Sequence, residues 1–132
     1  MTVTFLQPPG LVHSPAFSHV AVVPPGATTV YLGGQNGVDE TGAVVSPDAG
    51  AQAARALDNA EVALAAAGAS LDDVVQWFVA LDVGADLGAA YAAIAPRLAR
   101  EGAPPLVTAS RVAGLGVPGA LIEISAIAAL TA

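Results

Sequence analysis

Pro104-Pro105-Leu106-Val107-Thr108-Ala109-Ser110-Arg111-Val112, a glycine-rich turn, and Leu121-Ile122-Glu123-Ile124-Ser125-Ala126-Ile127 decide how this chain is read. Both runs are apolar and rich in β-branched residues, so each reads as a strand. The loop between them holds Gly114, Gly116, Pro118 and Gly119, and it sets the two strands facing each other. The second run places one carboxylate, Glu123, among Leu, Ile and Ala. Burial of that carboxylate is costly unless a partner neutralises it or donates hydrogen bonds to it. Two placements are open: a buried functional carboxylate, or a side chain on the solvent face of an edge strand.

Working outward, the remaining length supplies one domain, residues 1–132, enough for a real core. Apolar residues make up 55% and charged residues only 11%, too few to cover the surface, so an oligomer is expected. Net charge is −7 and the four basic residues are Arg55, Arg97, Arg100 and Arg111, which form no cluster. Nucleic-acid binding is therefore not expected. Without lysine there is no side-chain Schiff base, and without cysteine no disulfide, thiol nucleophile or thiolate metal site. His13 and His19 are too few for a zinc site, so neither metal nor cofactor is expected. No apolar run reaches the ~18 residues of a membrane span. Nor does the N-terminus resemble a signal peptide. The expectation is a cytoplasmic protein with no membrane partner.

Residues 1–18 are irregular, with Val3 to Leu6 as a short edge strand. His19 to Val23 and Thr28 to Leu32 read as strands, joined as a hairpin around Pro24 to Ala27. Gly33-Gly34-Gln35-Asn36-Gly37 follows, but no helix opens behind it and no lysine comes after, so neither nucleotide-binding motif is met. Those glycines allow a bulge or a close backbone approach instead. Ala43 to Val45 pairs back or leads into a helix. Ser46 as N-cap and Pro47 at the first helical position start that helix. Its stripe is Ala53, Leu57, Ala60, Leu64 and Ala67, and Gly68 closes it.

Val74 to Val83 reads as a long strand with Trp77 in core or interface, and the preceding Asp72-Asp73 pair as solvation rather than metal binding. A second helix runs from Leu87 to Arg100, N-capped by Asp86, with Leu87, Tyr91, Ile94 and Leu98 as its apolar stripe. Pro96 is expected to kink or split it. The order β-β-(β)-α-β-α-β-β implies an α+β fold, a mixed sheet with both helices on one face. The strands 74–83 and 121–130 are apolar on both sides, so a partner's sheet is expected over the other face.

That order, together with particular words, resembles the RidA/YjgF family. The words are Phe17-Ser18-His19, Tyr31-Leu32-Gly33-Gly34-Gln35, Gly68-Ala69-Ser70-Leu71-Asp72-Asp73-Val74-Val75, Pro104-Pro105 and Leu121 to Ile127, and the likeness spans about residues 7–130. The resemblance implies a chorismate-mutase-like (RidA-like) fold and a homotrimer whose sheets form a central barrel. It also implies small-molecule clefts between subunits and hydrolysis of reactive enamines and imines to 2-oxo acids and ammonia.

Of the site the family uses, Glu123 falls on the glutamate that positions or activates water. Gly34 and Gln35 fall on the backbone stretch that encloses the ligand, with Gly33 in place of the usual serine. The family's carboxylate-gripping arginine is Val107 here and its tyrosine is Phe17, so a standard 2-imino acid is expected to bind poorly. Arg111 lies on the same strand face as Val107 by two-residue alternation and is a candidate contact to a longer ligand. His19 is a candidate acid or base at the cleft mouth.

Two functions follow. The first is an enamine- or imine-hydrolysing (deaminase-like) enzyme of altered specificity, with Glu123 in an apolar cleft beside Phe17, Val107 and Trp77. The second is a non-catalytic trimer that binds a metabolite or a partner protein. A ribonuclease fits poorly with −7 and scattered arginines.

Overall fold

The structure, a computed structural model, describes residues 1–131. Six strands and two α-helices follow in the order β1 (Thr4–Leu6), β2 (Val20–Val22), β3 (Thr28–Asn36), α1 (Ala49–Ala66), β4 (Val74–Asp82), α2 (Leu87–Leu98), β5 (Leu106–Val112) and β6 (Ile122–Leu130). A short 3-10 turn, Leu71–Asp73, leads into β4. The fold is α+β, as the element order implies.

Two strand pairings differ from the sequence reading. The main sheet has the order β3-β6-β4-β5. β6 therefore lies between β3 and β4, antiparallel to both, while β5 runs parallel to β4 at the edge. The strands 106–112 and 122–130 are not partners. The most apolar strand takes the centre, where both of its edges and its helix-facing side are shielded. Nor does β2 form a hairpin with β3: Thr4 to Leu6 pairs with Val22 to Val20 in a separate ribbon. Pro24-Pro25-Gly26 turns the chain out of that ribbon rather than back along it.

The glycines of β3 act as the sequence suggests. Register with β6 shifts between Leu32 and Gln35, a bulge across Gly33-Gly34. Beyond it, Val38 bridges Val44, so the 43–45 segment does pair back.

Asp48, not Ser46, caps α1: its carboxylate accepts from the Ala51 N–H at 2.8 Å, while the Ser46 hydroxyl accepts from the Asp48 N–H. At the other end Gly68 adopts φ +76°, and the N–H groups of Gly68 and Ala69 reach the Ala65 and Leu64 carbonyls. That paired closure is a Schellman motif, which needs a residue free to turn left-handed. The buried stripe runs Ala49, Gln52, Ala53, Ala56, Leu57, Ala60, Leu64 and stops there, leaving Ala67 exposed. In α2 the Asp86 cap is as read, accepting from the Ala89 N–H. Pro96 does not split the helix. It sits so near the end that the helix stops at Leu98 as one element. Ala90 and Ile94 are its buried residues, whereas Leu87 and Tyr91 of the expected stripe are substantially exposed.

Both helices lie on one face of the sheet. Leu57, Ala60 and Ile94 share a core with Trp77, Ile122, Ile124 and Ala126. Residues directly in register share a face, so the row Val107, Trp77, Ala126 looks toward the helices and the row Ser110, Ala80, Glu123 looks away. The second face also carries Tyr31, opposite Ile127 and 77% exposed. No helix is long and apolar enough to cross a membrane, among the described residues.

Candidate active site

Glu123 sits on the central strand, so its backbone is hydrogen-bonded on both sides. It is neither deeply buried nor on an edge: it is half-buried on the face away from the helices. No donor lies within hydrogen-bond reach of its carboxylate among the described residues. What presses on it is backbone. A Cβ on Gly34 would stand 2.7 Å from Glu123 Oε1 and 2.8 Å from Cδ, so glycine lets the bulge of β3 lie against this side chain without displacing its carboxylate. Gln35 follows on the bulge, its amide donating to the Gly33 carbonyl at 3.3 Å.

Behind the pair stands a polar support that the sequence did not disclose. Asn36, opposite Glu123 in register, donates to the Ile122 carbonyl at 3.0 Å. Asn59 of α1 donates to the carbonyls of Asn36 and Val38 at 3.1 and 2.9 Å. Gln52, fully buried, donates to Ser46 and Gly119 and accepts from the Leu121 N–H. The clue was available: Gln52 lies on the same helical face as Ala49, Ala53 and Ala56, and a polar residue on a buried stripe must find partners.

Replacing Gly34 with Ala is expected to displace the Glu123 carboxylate while leaving the melting temperature within a few degrees of the parent, because a flexible side chain gives way more readily than backbone. A misplacement of this kind is on the order of a hundredfold in rate. Crystallography of the variant with parallel kinetics checks it. An unmoved carboxylate would contradict the prediction.

The other candidate residues lie elsewhere. Phe17, Val107 and Trp77 line a cavity of about 480 Å³ between α2 and the helix-side face of β4 and β5. Glu123 is not among its walls. Within one chain, then, the expected grouping of Glu123 with Phe17, Val107 and Trp77 does not occur, because residue 107 falls on one side of the pleat and residue 123 on the other.

Phe17 is held at the rim by its neighbours. Ser18 Oγ donates to the Pro104 carbonyl at 2.7 Å and its N–H to that of Pro105, while Gln7 donates to the Phe17 carbonyl. His19 packs edge-on to Phe17, its Nε2 2.6 Å from the Val12 carbonyl, so it braces the 7–19 loop. Arg111 does share the face of Val107, but its guanidinium donates to the Val83 and Ala85 carbonyls and does not line the cavity. Arg100 does line it, half-buried, with Nε on Ala103 and Nη1 on the Asp72 and Val74 carbonyls, and its ring neighbour is Phe5. Burial lowers its pKa from the usual arginine value, partly offset by Asp72 and Asp73. Asp73 closes a capping box with Ser70, and no acidic or histidine cluster among the described residues is arranged to hold a metal.

The fold and these features describe a small mixed-sheet protein with a carboxylate on its open face and an apolar cavity under its second helix. The chain belongs to the endoribonuclease L-PSP family, the RidA/YjgF group, whose sequence profile matches residues 12–130. Among solved structures it is similar to YyfB of Yersinia pestis, a Rid family protein of unknown function, with 29% identity over 98% of this chain and 100% of that one, and a TM-score of 0.84. It is also similar to RidA of the Antarctic bacterium Psychrobacter, at 30% identity over 86% of this chain and 93% of that one, with a TM-score of 0.67. TdcF of E. coli, solved with bound serine, shares the fold at 24% identity, covering 89% and 94% of the two chains with a TM-score of 0.70. No curated protein sequence matches.

Proposed function

We propose that this protein is a RidA-like hydrolase of reactive imines or enamines whose specificity has moved away from 2-imino acids, working as a homotrimer at clefts between subunits. The observation that carries the reading is Glu123: a carboxylate on a central strand, pressed by Gly34 and without a protein donor among the described residues, is free to hold a water. In the reaction, water adds to the C=N carbon as Glu123 takes its proton. The nitrogen is then protonated and leaves as ammonia while the C=O bond forms, so that one imine and one water give one carbonyl compound and one ammonia. TdcF binds serine, which accords with a small-molecule role for this fold.

The trimer has a geometric argument beside the family likeness. Glu123 and Val107 face opposite ways in one chain, so Glu123 can reach the mouth of the cavity at Phe17 and Val107 only from an adjacent copy. Val107 supplies no charge where the family's arginine would grip a substrate carboxylate. Loss of a desolvated bidentate contact costs about 2–5 kcal/mol. Gly34 and Gln35 would enclose the ligand beside Glu123, whereas Arg111 and His19 are committed to backbone carbonyls and act as braces.

Ammonia release from freshly generated 2-imino acids, compared with imines lacking the carboxylate, tests the reading. The parent protein is expected to prefer the uncharged substrates. Val107→Arg is expected to raise kcat/KM for the 2-imino acid by roughly tenfold or more. Parent activity on 2-imino acids that Val107→Arg does not improve would contradict it. The second reading, a trimer that binds without catalysis, rests on the absence of any titratable side chain other than Tyr91 and Arg100 in the cavity wall, among the described residues. It becomes the better one if no imine turns over.

A further inference from the structure

We infer that the cavity under α2 is a binding chamber for an uncharged molecule with an aromatic or branched-alkyl body. The inference rests on the reading above only for its catalytic consequence, and its test reads binding rather than turnover; Glu123 of the same chain is not part of the wall.

Three observations carry it. The first is depth. The cavity runs from a rim at Phe17 and Val107 down to Leu57 and Ile122, which are 0% and 1% exposed and belong to the core. A helix packed on a sheet ordinarily leaves no space larger than a few atoms. Here Ala90 and Ala95 of α2 and Ala109 of β5 line the space, and side chains this small leave it unfilled. At about 480 Å³ the space falls in the range of small-molecule sites.

The second is charge. Among the described residues Arg100 is the one ionic side chain on the wall, and its Nε and Nη1 already serve the carbonyls of Ala103, Asp72 and Val74. Deep in the chamber, against Leu57 and Ile122, a carboxylate would lose its water and meet no charged partner, whereas an uncharged ring loses nothing of the kind. The third is fixity. Arg97 ties α2 to α1 through Asp58 at 2.8 Å, Glu61 at 3.0 Å and the Ala54 carbonyl, so α2 is braced against moving inward to close the gap. Ser18 likewise fixes the Phe17 rim to Pro104.

Trp77, the only tryptophan and 2% exposed, forms part of the wall and reports on occupancy. Propylbenzene and 3-phenylpropanoate, the same body without and with a carboxylate, are titrated into the full chain while Trp77 emission and melting temperature are followed. Propylbenzene is expected to shift the emission saturably and raise the melting temperature, with 3-phenylpropanoate about tenfold weaker or worse. Ala109→Phe, at an exposed position on the wall, is expected to weaken propylbenzene by roughly tenfold or more while the protein stays folded.

Equal affinity for the two probes, no saturable change, or indifference to Ala109→Phe overturns the inference. So does binding that vanishes as the chain self-associates, which would mean that another copy fills the chamber. Probe binding without turnover of any imine leaves this inference standing and removes the enzymatic one. Turnover with no preference for uncharged substrates, together with equal probe affinities, does the reverse.

Discussion

Glu123→Gln is expected to lower imine hydrolysis by about 10²–10⁴-fold while leaving the melting temperature within a few degrees of the parent. Glutamine keeps the size of the side chain and its contact with Gly34, so the bulge of β3 and the register of β6 remain. What it removes is the ability to accept a proton from water. The carboxylate makes no protein hydrogen bond or ion pair among the described residues, so no structural contact goes with it. Matched kinetics and thermal melts decide the matter. A loss smaller than tenfold would mean that water is activated by another group. A large drop in stability would mean that Glu123 serves the fold and not the chemistry.

The largest stability effect is expected at Gln52. Its side chain donates to Ser46 O at 2.8 Å and Gly119 O at 3.1 Å and accepts from Leu121 N at 2.7 Å, all from a fully buried position. Leucine has a similar volume but satisfies none of them, and a buried unsatisfied group costs about 1–3 kcal/mol. Gln52→Leu is therefore expected to destabilise the protein by on the order of 3–5 kcal/mol, read from the denaturant midpoint. The same bonds tie the end of the loop that feeds β6 to α1 and to Ser46, so residual turnover should fall further than global unfolding explains. A change below ~1 kcal/mol would show that the 113–121 loop is held by other contacts.

How much of this is legible in the sequence varies with the kind of interaction. Helix signals are local, and they read closely: Asp86 caps α2 and Gly68 closes α1 because the relevant groups are within a few residues of one another. Ser46 is a plausible cap for the same reason, and Asp48, two residues on, wins because its carboxylate reaches the Ala51 N–H. Strands are legible as elements, and the glycine pair in β3 as a bulge. Their pairing is not, since it depends on which edges meet across long stretches of chain. Sequence neighbours suggest β2 with β3 and β5 with β6; the sheet instead places β6 in the middle and sends β2 to β1.

The site divides the same way. The chain's own residues are enough to single out Glu123, the lone carboxylate of an apolar strand, and to note that Val107 carries no charge. They also set the alternation that puts Arg111 on the face of Val107. Only tertiary structure decided that residues 107 and 123 look to opposite sides of the sheet, that the Glu123 carboxylate lies where a Cβ on Gly34 would touch it, and that Arg111 and His19 are occupied by backbone carbonyls. The physical reason is range. Propensity, capping and alternation act over a few residues and are written in order along the chain, whereas strand order, cavity walls and buried polar partners join residues as distant as Gln52 and Leu121, whose meeting the packing alone selects.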